Sequence, residues 1–285
     1  MNFNSYTKVK GYIVCRIKAI TKSQLLPIKG AIMHSINVKA TVLCGGLGKR
    51  LRPLTYYFQK TMIPVGKRQK PLLEYIVRLL KSHSFKDIIL LVGYKAEQVK
   101  NYFEDGGRFG VKITYVHDDP AYKGTAGALY NAYRKGYLDV DAVLVYYGDI
   151  LSNINLSEML EYHLNANAIA TLALSMGYRV RVGVAYICSD GSIKKFEEKP
   201  EIELPVSIGI LILNKEALSY LEELVKTYEK PDIMSHLIPR LIEDSKRVMG
   251  YLTNAFWYDL GSTERYEKLE EMGDVVEKEL SKILS

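Results

Sequence analysis

The segment best equipped for chemistry is Cys44-Gly-Gly-Leu-Gly-Lys-Arg50-Leu-Arg-Pro53-Leu-Thr55, which follows directly on a β-rich run over residues 38–44. Gly45, Gly46 and Gly48 let the backbone turn tightly and present N–H donors to a phosphate with no side chain in the way. Position excludes two common phosphate loops. A dinucleotide fingerprint starting at Gly46 needs glycine where Leu51 stands. A Walker A loop ending at Gly48-Lys49 needs Ser or Thr where Arg50 stands and glycine where Leu43 stands. On its own the cluster reads equally as a tight turn with basic neighbours. A second feature is the pair Asp149 and Asp259, each at the end of a strand-like apolar run. Carboxylates brought together at sheet ends suit Mg²⁺, which takes one or two of them and fills its other positions with phosphate and water. Singly, each reads as readily as a turn or cap, Asp259 especially, since Gly261-Ser262 and a helix follow. His34, His83, His117, His163 and His236 show no ligand spacing, and no nucleophile is paired with a base.

These residues need a scaffold that brings distant strand ends together. Residues 38–44 are a short β-rich run, 87–92 and 142–147 are apolar runs and 111–116 reads as another strand, while 71–82 carries apolar residues at helical spacing and 96–103 and 125–134 read as helices. Strands apolar on both faces that alternate with helices indicate a parallel sheet covered on both sides. In the second half, strands at 169–175, 182–187 and 206–213 have fewer helices between them. Helices return at 215–226, at 232–243 and after Ser262. The pattern predicts one α/β domain with a mixed, mostly parallel sheet over residues 38–285.

The chain has 285 residues, 48% hydrophobic and 25% charged, a composition that excludes disorder, collagen-like repeats and coiled coil. No apolar stretch approaches a membrane span. Cys15, Cys44 and Cys188 are scattered and odd in number, which argues against a disulfide framework or cysteine zinc site and places the chain in a reducing cytoplasm. Cys44 reads as a buried packing residue. The net charge of +7 is unevenly spread: no Asp or Glu precedes Glu74, whereas fourteen Lys and Arg do. Six of them fall in residues 1–37, a basic extension read as loosely attached, disordered or the product of an upstream start, with Met33 as the working start. Lys49, Arg50, Arg52, Lys60, Lys67, Arg68 and Lys70 are expected around the glycine-rich turn, a local field suited to a small polyanion rather than to nucleic acid.

Gly45-Gly46-x-Gly48-x-Arg50-Leu51-x-Pro53-Leu54-Thr55 followed by Lys60-x-x-x-Pro64 resembles the amino-terminal signature of the sugar-1-phosphate nucleotidyltransferases, the NDP-sugar pyrophosphorylases. Further pieces follow in that family's order. Gly124-Thr-Ala-Gly-Ala-Leu129 resembles its nucleobase loop, Tyr147-Gly148-Asp149 its strand-end metal aspartate, Phe196-Glu-Glu-Lys-Pro200 its sugar-phosphate segment, and Trp257-Tyr-Asp-Leu-Gly-Ser262 its second metal motif. The resemblance implies a Rossmann-like, glycosyltransferase-A-like fold and transfer of a nucleotidyl group from an NTP to a sugar-1-phosphate, releasing pyrophosphate without a covalent enzyme intermediate. It implies Arg50 and Lys60 as catalytic residues. The nucleotide falls to Gly45, Gly46, Leu47, Gly48, Lys49, Arg50, Asp119, Gly124, Thr125 and Asp149, the sugar phosphate to Gly183, Glu198, Lys199 and Ser207, and Mg²⁺ to Asp149 and Asp259. Self-association remains open as a further partnership.

Departures from the pattern are Lys49 for Thr, Thr61 for Pro or Ala, Ala255 for Gly, and Ser207 for the sugar-contacting Asn; only the last touches sugar identity. Asp119, five positions before Gly124, stands where relatives read the base. A carboxylate accepts both N1–H and the 2-amino group of guanine, whereas thymine and uracil offer one donor flanked by carbonyls. That asymmetry favours GTP with mannose-1-phosphate. UTP or dTTP with glucose-1-phosphate is the alternative, ahead of a non-catalytic scaffold relative.

Overall fold

The computed structural model describes residues 36–180, 182–202 and 204–284, together with the strands Tyr6–Val9 and Tyr12–Cys15. Those two strands pair antiparallel. The rest of the basic leader, and with it the expectation of a disordered extension, lies outside the described residues.

The core is a seven-stranded sheet. In chain order its strands are β1 (Val38–Cys44), β2 (Asp87–Val92), β3 (Lys112–His117), β4 (Ala142–Tyr147), β5 (Ala170–Ser175), β6 (Val206–Asn214) and β7 (Val248–Leu252). Across the sheet they run β7-β5-β6-β4-β1-β2-β3. All lie parallel except β6, which is antiparallel to both neighbours. The sheet is thus mixed and mostly parallel, as the alternating pattern predicts. Helices α1 (Leu72–Ser82), α2 (Ala96–Phe103), α3 (Gly124–Arg134) and α4 (Leu156–Asn165) fill the crossovers.

Alternate residues of one strand face opposite cores. Ala40, Val42, Ile88, Leu90, Leu144 and Tyr146 join α1 in one cluster, whereas Ile89, Leu91, Val143 and Val145 join α3 in the other. This double burial is why the central strands read as unbroken apolar runs. The chain leaves β1 toward β2 and β3, then returns to β1's other side with β4. That reversal opens a crevice at the carboxyl ends of β1 and β4, the usual ligand position in such sheets.

Several boundaries differ from the sequence reading. The helix expected over 215–226 is two, Lys215–Ser219 and Leu221–Thr227, and that over 232–243 starts with a π-turn at Ile233–Leu237 before Ile238–Glu243. Strand β7, the ribbon Val184–Ile187 with Ile193–Glu197, and the short pair Ile150–Ser152 with Trp257–Asp259 complete the sheets that position the site.

Candidate functional site

The glycine-rich turn leaves β1 at the crevice and is wedged there. A Cβ on Gly45 would stand 2.1 Å from Asp118 Oδ2, and one on Gly93 at the end of β2 would meet the same atom at 2.1 Å. A side chain at either position would displace this carboxylate, and one on Gly93 would also meet the Gly45 carbonyl at 2.9 Å. Gly48 takes a left-handed φ of 59°, and the Thr55 hydroxyl donates to its carbonyl at 2.9 Å. Gly46 has nothing within 4 Å of its Cβ position, so the middle of the turn faces open space. Beneath the turn lies Gln59, fully buried. Its side-chain amide donates to the Cys44 carbonyl, and its oxygen accepts from the Thr61 amide and hydroxyl, both at 2.6 Å. Cys44 is buried as expected, and burial pushes its thiol well above the ordinary range, away from thiolate chemistry.

Asp149 follows β4 and pairs through Oδ2 with the Lys60 ammonium. The short strand pair sets Asp259 opposite Ile150, and the Leu260 amide donates to the Asp149 carbonyl at 2.9 Å. Backbone pairing alone thus brings the chain at Asp149 and at Asp259, far apart in sequence, together. Asp259 Oδ2 pairs with the Arg265 guanidinium, while its Oδ1 is buried with no hydrogen-bond partner. A Cβ on Gly261 would lie 2.8 Å from Asp259 Oδ1 and 3.3 Å from Arg50 Nη2, so Arg50 and Asp259 share the space beside that glycine.

A cavity of about 580 Å³ opens over the turn, lined by Gly45, Gly46, Leu47, Lys60, Asp119, Gly124, Thr125 and Asp149 among others. Gly124 opens α3 with φ of 78°, and its Cβ position is 2.1 Å from the Pro231 carbonyl. Thr125 Oγ1 donates to Asp232 Oδ2 at 2.8 Å and accepts from the Ile233 amide at 2.9 Å, tying the loop to the π-turn. Asp119 lines the same cavity, and its Oδ1 accepts from the Ala121 amide at 2.9 Å in a local turn bond.

A second cavity of about 730 Å³ lies on the other side of Asp259, lined by Met176, Tyr178, Lys199, Trp257, Arg265 and Lys268. Tyr178 and Trp257 stack there with ring centroids 6.4 Å apart. Of the expected sugar-phosphate residues, Lys199 lines this cavity. Gly183, Glu198 and Ser207 line neither, although a Cβ on Gly183 would meet Glu198 Oε2 at 2.9 Å, which places those two together.

The early basic cluster is more dispersed than its sequence suggests. Lys67 pairs with Asp274 at 2.6 Å, Arg68 with Glu277 at 3.6 Å and Lys70 with Glu74 at 2.6 Å. Lys67 and Arg68 serve the docking of the helix Gly273–Leu284, whose acidic residues are their spatial neighbours, and Lys70 serves the first turn of α1. Arg50 and Lys60 remain with the site.

Asp118 and Arg265 were not expected at the site. Nothing local marks Asp118, whose role depends on two glycines from other strands. Arg265 carries a signal: it stands in the first turn of the helix Thr263–Glu271, where the helix dipole disfavours a cation unless an anion is near.

The sequence model of the nucleotidyl transferase family matches residues 39–273. A UTP–glucose-1-phosphate uridylyltransferase from Synechocystis is 31% identical over 244 residues, covering 80% of this chain and 61% of that protein. A D-glycero-α-D-manno-heptose 1-phosphate guanylyltransferase from Aneurinibacillus thermoaerophilus is 32% identical over 239 residues, covering 82% of this chain and 97% of that one. Among solved structures, a candidate glucose-1-phosphate thymidylyltransferase from Bacillus anthracis superposes with a TM-score of 0.66 at 25% identity, covering 82% of this chain and 94% of the other.

Proposed function

Because the chain belongs to the nucleotidyl transferase family, we propose that residues 38–285 catalyse attack of a sugar-1-phosphate oxygen on the α-phosphorus of an NTP. The new bond joins the two phosphates, the α–β bridging bond breaks, and pyrophosphate leaves in line. The observation that supports this reading is the pairing of the strand ends that carry Asp149 and Asp259, the first lining one cavity and the second the other, each carboxylate beside a cation.

Two polyanions must be held together, so catalysis is mostly positioning and charge neutralisation. The backbone of Gly45, Gly46, Leu47 and Gly48 offers amides to the triphosphate, with Lys49 and Arg50 flanking it. A guanidinium forks onto phosphate oxygens, and Lys60 adds a point charge near the α-phosphate. Gly124 and Thr125 bound the base pocket. Across Asp259, Lys199 takes the acceptor phosphate, with Gly183, Glu198 and Ser207 on the sugar side. The orphaned Asp259 Oδ1 fits a hard divalent cation, with Asp149 on the paired strand end as the second protein carboxylate. Bound there, Mg²⁺ supplies charge neutralisation for the phosphates.

For the base we propose guanine, read by Asp119, and for the acceptor mannose-1-phosphate. The guanylyltransferase name of the Aneurinibacillus relative supports that choice, and the uridylyltransferase name of the Synechocystis relative supports the alternative, UTP or dTTP with glucose-1-phosphate. Among the described residues no helix is long and apolar enough to cross a membrane. We assign the reaction to the cytoplasm, where both substrates are made. The deciding experiment is a pyrophosphate-release assay that crosses the common NTPs with glucose-, mannose- and N-acetylglucosamine-1-phosphate. Fastest turnover with GTP and mannose-1-phosphate is expected. UTP or dTTP with glucose-1-phosphate running faster would retire the Asp119 argument, and no release from any pair would retire the enzyme.

A further inference from the structure

Arg265 is the charged group that the reaction outlined above leaves unused. Its guanidinium pairs with Asp259 Oδ2, and both side chains are largely sheltered, at 19% and 28% exposure. It also lines the larger cavity with Lys199 and Lys268, facing the stacked Tyr178 and Trp257. One guanidinium thus touches the carboxylate proposed for the divalent cation and borders the space proposed for the acceptor phosphate. Its position in a helix's first turn makes an anionic partner necessary, and Asp259 is the partner it has. A phosphate in the cavity is a better one, because it presents two or three oxygens to the planar fork.

We propose that Arg265 couples the acceptor-phosphate site to the divalent-cation site. With both sites empty, the guanidinium neutralises Asp259. A sugar-1-phosphate entering the cavity draws the guanidinium onto its phosphate and leaves both oxygens of Asp259 to the cation. The two ligands cannot then be independent: each releases Asp259 from Arg265 on behalf of the other, so each tightens the other by the same factor. The inference rests on the proposed reaction for the identity of the two ligands, but its test reads binding and not turnover.

The test measures Mn²⁺ binding to the full chain by the electron-paramagnetic signal of free Mn²⁺, alone and with saturating mannose-1-phosphate, glucose-1-phosphate or the unphosphorylated sugars. In the wild type a sugar phosphate is expected to tighten Mn²⁺ binding at least about fivefold, and the free sugar to leave it unchanged. Arg265→Ala is expected to bind Mn²⁺ more tightly than the wild type when no sugar phosphate is present, and to lose the coupling. Arg265→Lys should restore part of it. Arg265→Gln, neutral and of similar length, reports the same two effects if the alanine variant folds poorly. An arginine that merely props Asp259 in place gives the opposite sign, weaker Mn²⁺ binding in the variants, and overturns the proposal. Coupling that persists undiminished in Arg265→Ala and Arg265→Gln assigns it to direct cation–phosphate contact and also overturns it, as does an uncoupled wild type. A chain that shows Arg265-dependent coupling yet releases no pyrophosphate loses the proposed reaction alone.

Discussion

The two sides of the site are built differently. On the proposed nucleotide side three glycines are closed in by backbone: a Cβ on Gly93 would stand 2.9 Å from the Gly45 carbonyl, one on Gly124 2.1 Å from the Pro231 carbonyl, and one on Gly148 2.6 Å from the Leu43 carbonyl. The strands behind it, β1, β2 and β4, have cores fully shielded from water. On the acceptor side the ribbon Val184–Ile187 with Ile193–Glu197 stands outside both core clusters. Val182 is 63% exposed, Ile187 68% and Phe196 60%. Its charged contacts are surface pairs, such as Lys199 with Glu198 at 3.8 Å, which contribute little to stability. The nucleotide side is therefore preorganised by the fold, whereas the acceptor side depends on its ligand to complete its geometry. A triphosphate is the same in every NTP, and a rigid cradle suits it. In the proposed reaction the acceptor sugar is the variable part, and the exposed ribbon is where we propose that it is met.

The largest effect expected from this contrast lies at the boundary between the two sides. Asp149→Asn or Asp259→Asn should each lower turnover by at least about 100-fold while the melting temperature holds, since each removes half of the cation's protein charge. Near wild-type rates in steady-state assays of both variants would remove the boundary altogether.

Next in size is the pH dependence of stability, which should come from the sheet and not from the ribbon. His163 on α4 is 2% exposed, and its Nδ1 lies 2.8 Å from Thr171 Oγ1 on β5. Burial disfavours the imidazolium and lowers the pKa from 6.5 to about 4. Between those values the unfolded chain binds the extra proton, so the stability present above about pH 6.5 is lost as the pH falls toward 4, by up to about 3 kcal/mol. Urea titrations at about pH 7.5 and pH 5 should show this loss in the wild type and much less of it in His163→Asn; an equal loss in both would show that another group is responsible.

Paired glycine substitutions compare the two sides directly. Gly124→Ala drives a Cβ into a backbone carbonyl at a left-handed φ of 78° and should cost about 2 kcal/mol or more, read from urea midpoints. Gly183→Ala meets only the Phe196 ring edge at 2.3 Å and Glu198 Oε2 at 2.9 Å, both ends of side chains that can move. Its stability should change by less than about 1 kcal/mol while KM for the sugar phosphate rises and KM for the NTP does not. Equal losses of stability would mean that the ribbon is as firmly built as the turn. The smallest effect is Phe196→Ala, at most about 0.5 kcal/mol because its ring is mostly in water already.

The same division governs what could be read from the sequence. Strands β2 and β4 are visible because burial on both faces forces nearly unbroken apolar runs, and the glycine turn because Gly45, Gly46 and Gly48 crowd into four positions. Strand β7, Val-Met-Gly-Tyr-Leu, is half exposed and shows no such run; its signal is its pairing with β5, which no local window contains. The helix over 215–226 is interrupted at Tyr220, whose backbone stays near helical values, so periodicity runs across the break. Asp149 and Asp259 stand out only through family motifs, because a strand pair and not a spacing rule makes them neighbours. Lys67 and Arg68 mislead for the converse reason, since their acidic partners arrive some two hundred residues later, while Lys70 is taken up by Glu74 four residues on.

The reversed strand β6 has a consequence for how such a protein can change. Ser175 at the end of β5 sits opposite Val206 at the start of β6. The excursion over residues 176–205, which holds the ribbon and the expected sugar-phosphate segment, therefore leaves and re-enters the sheet at one closed doorway. Lengthening a loop whose ends are already held together adds little entropic cost, about 0.6 kcal/mol per doubling. In the proposed reaction the excursion acts as a cassette, one that can be exchanged or extended while the sheet, the glycine turn and the order of the strands stay as they are.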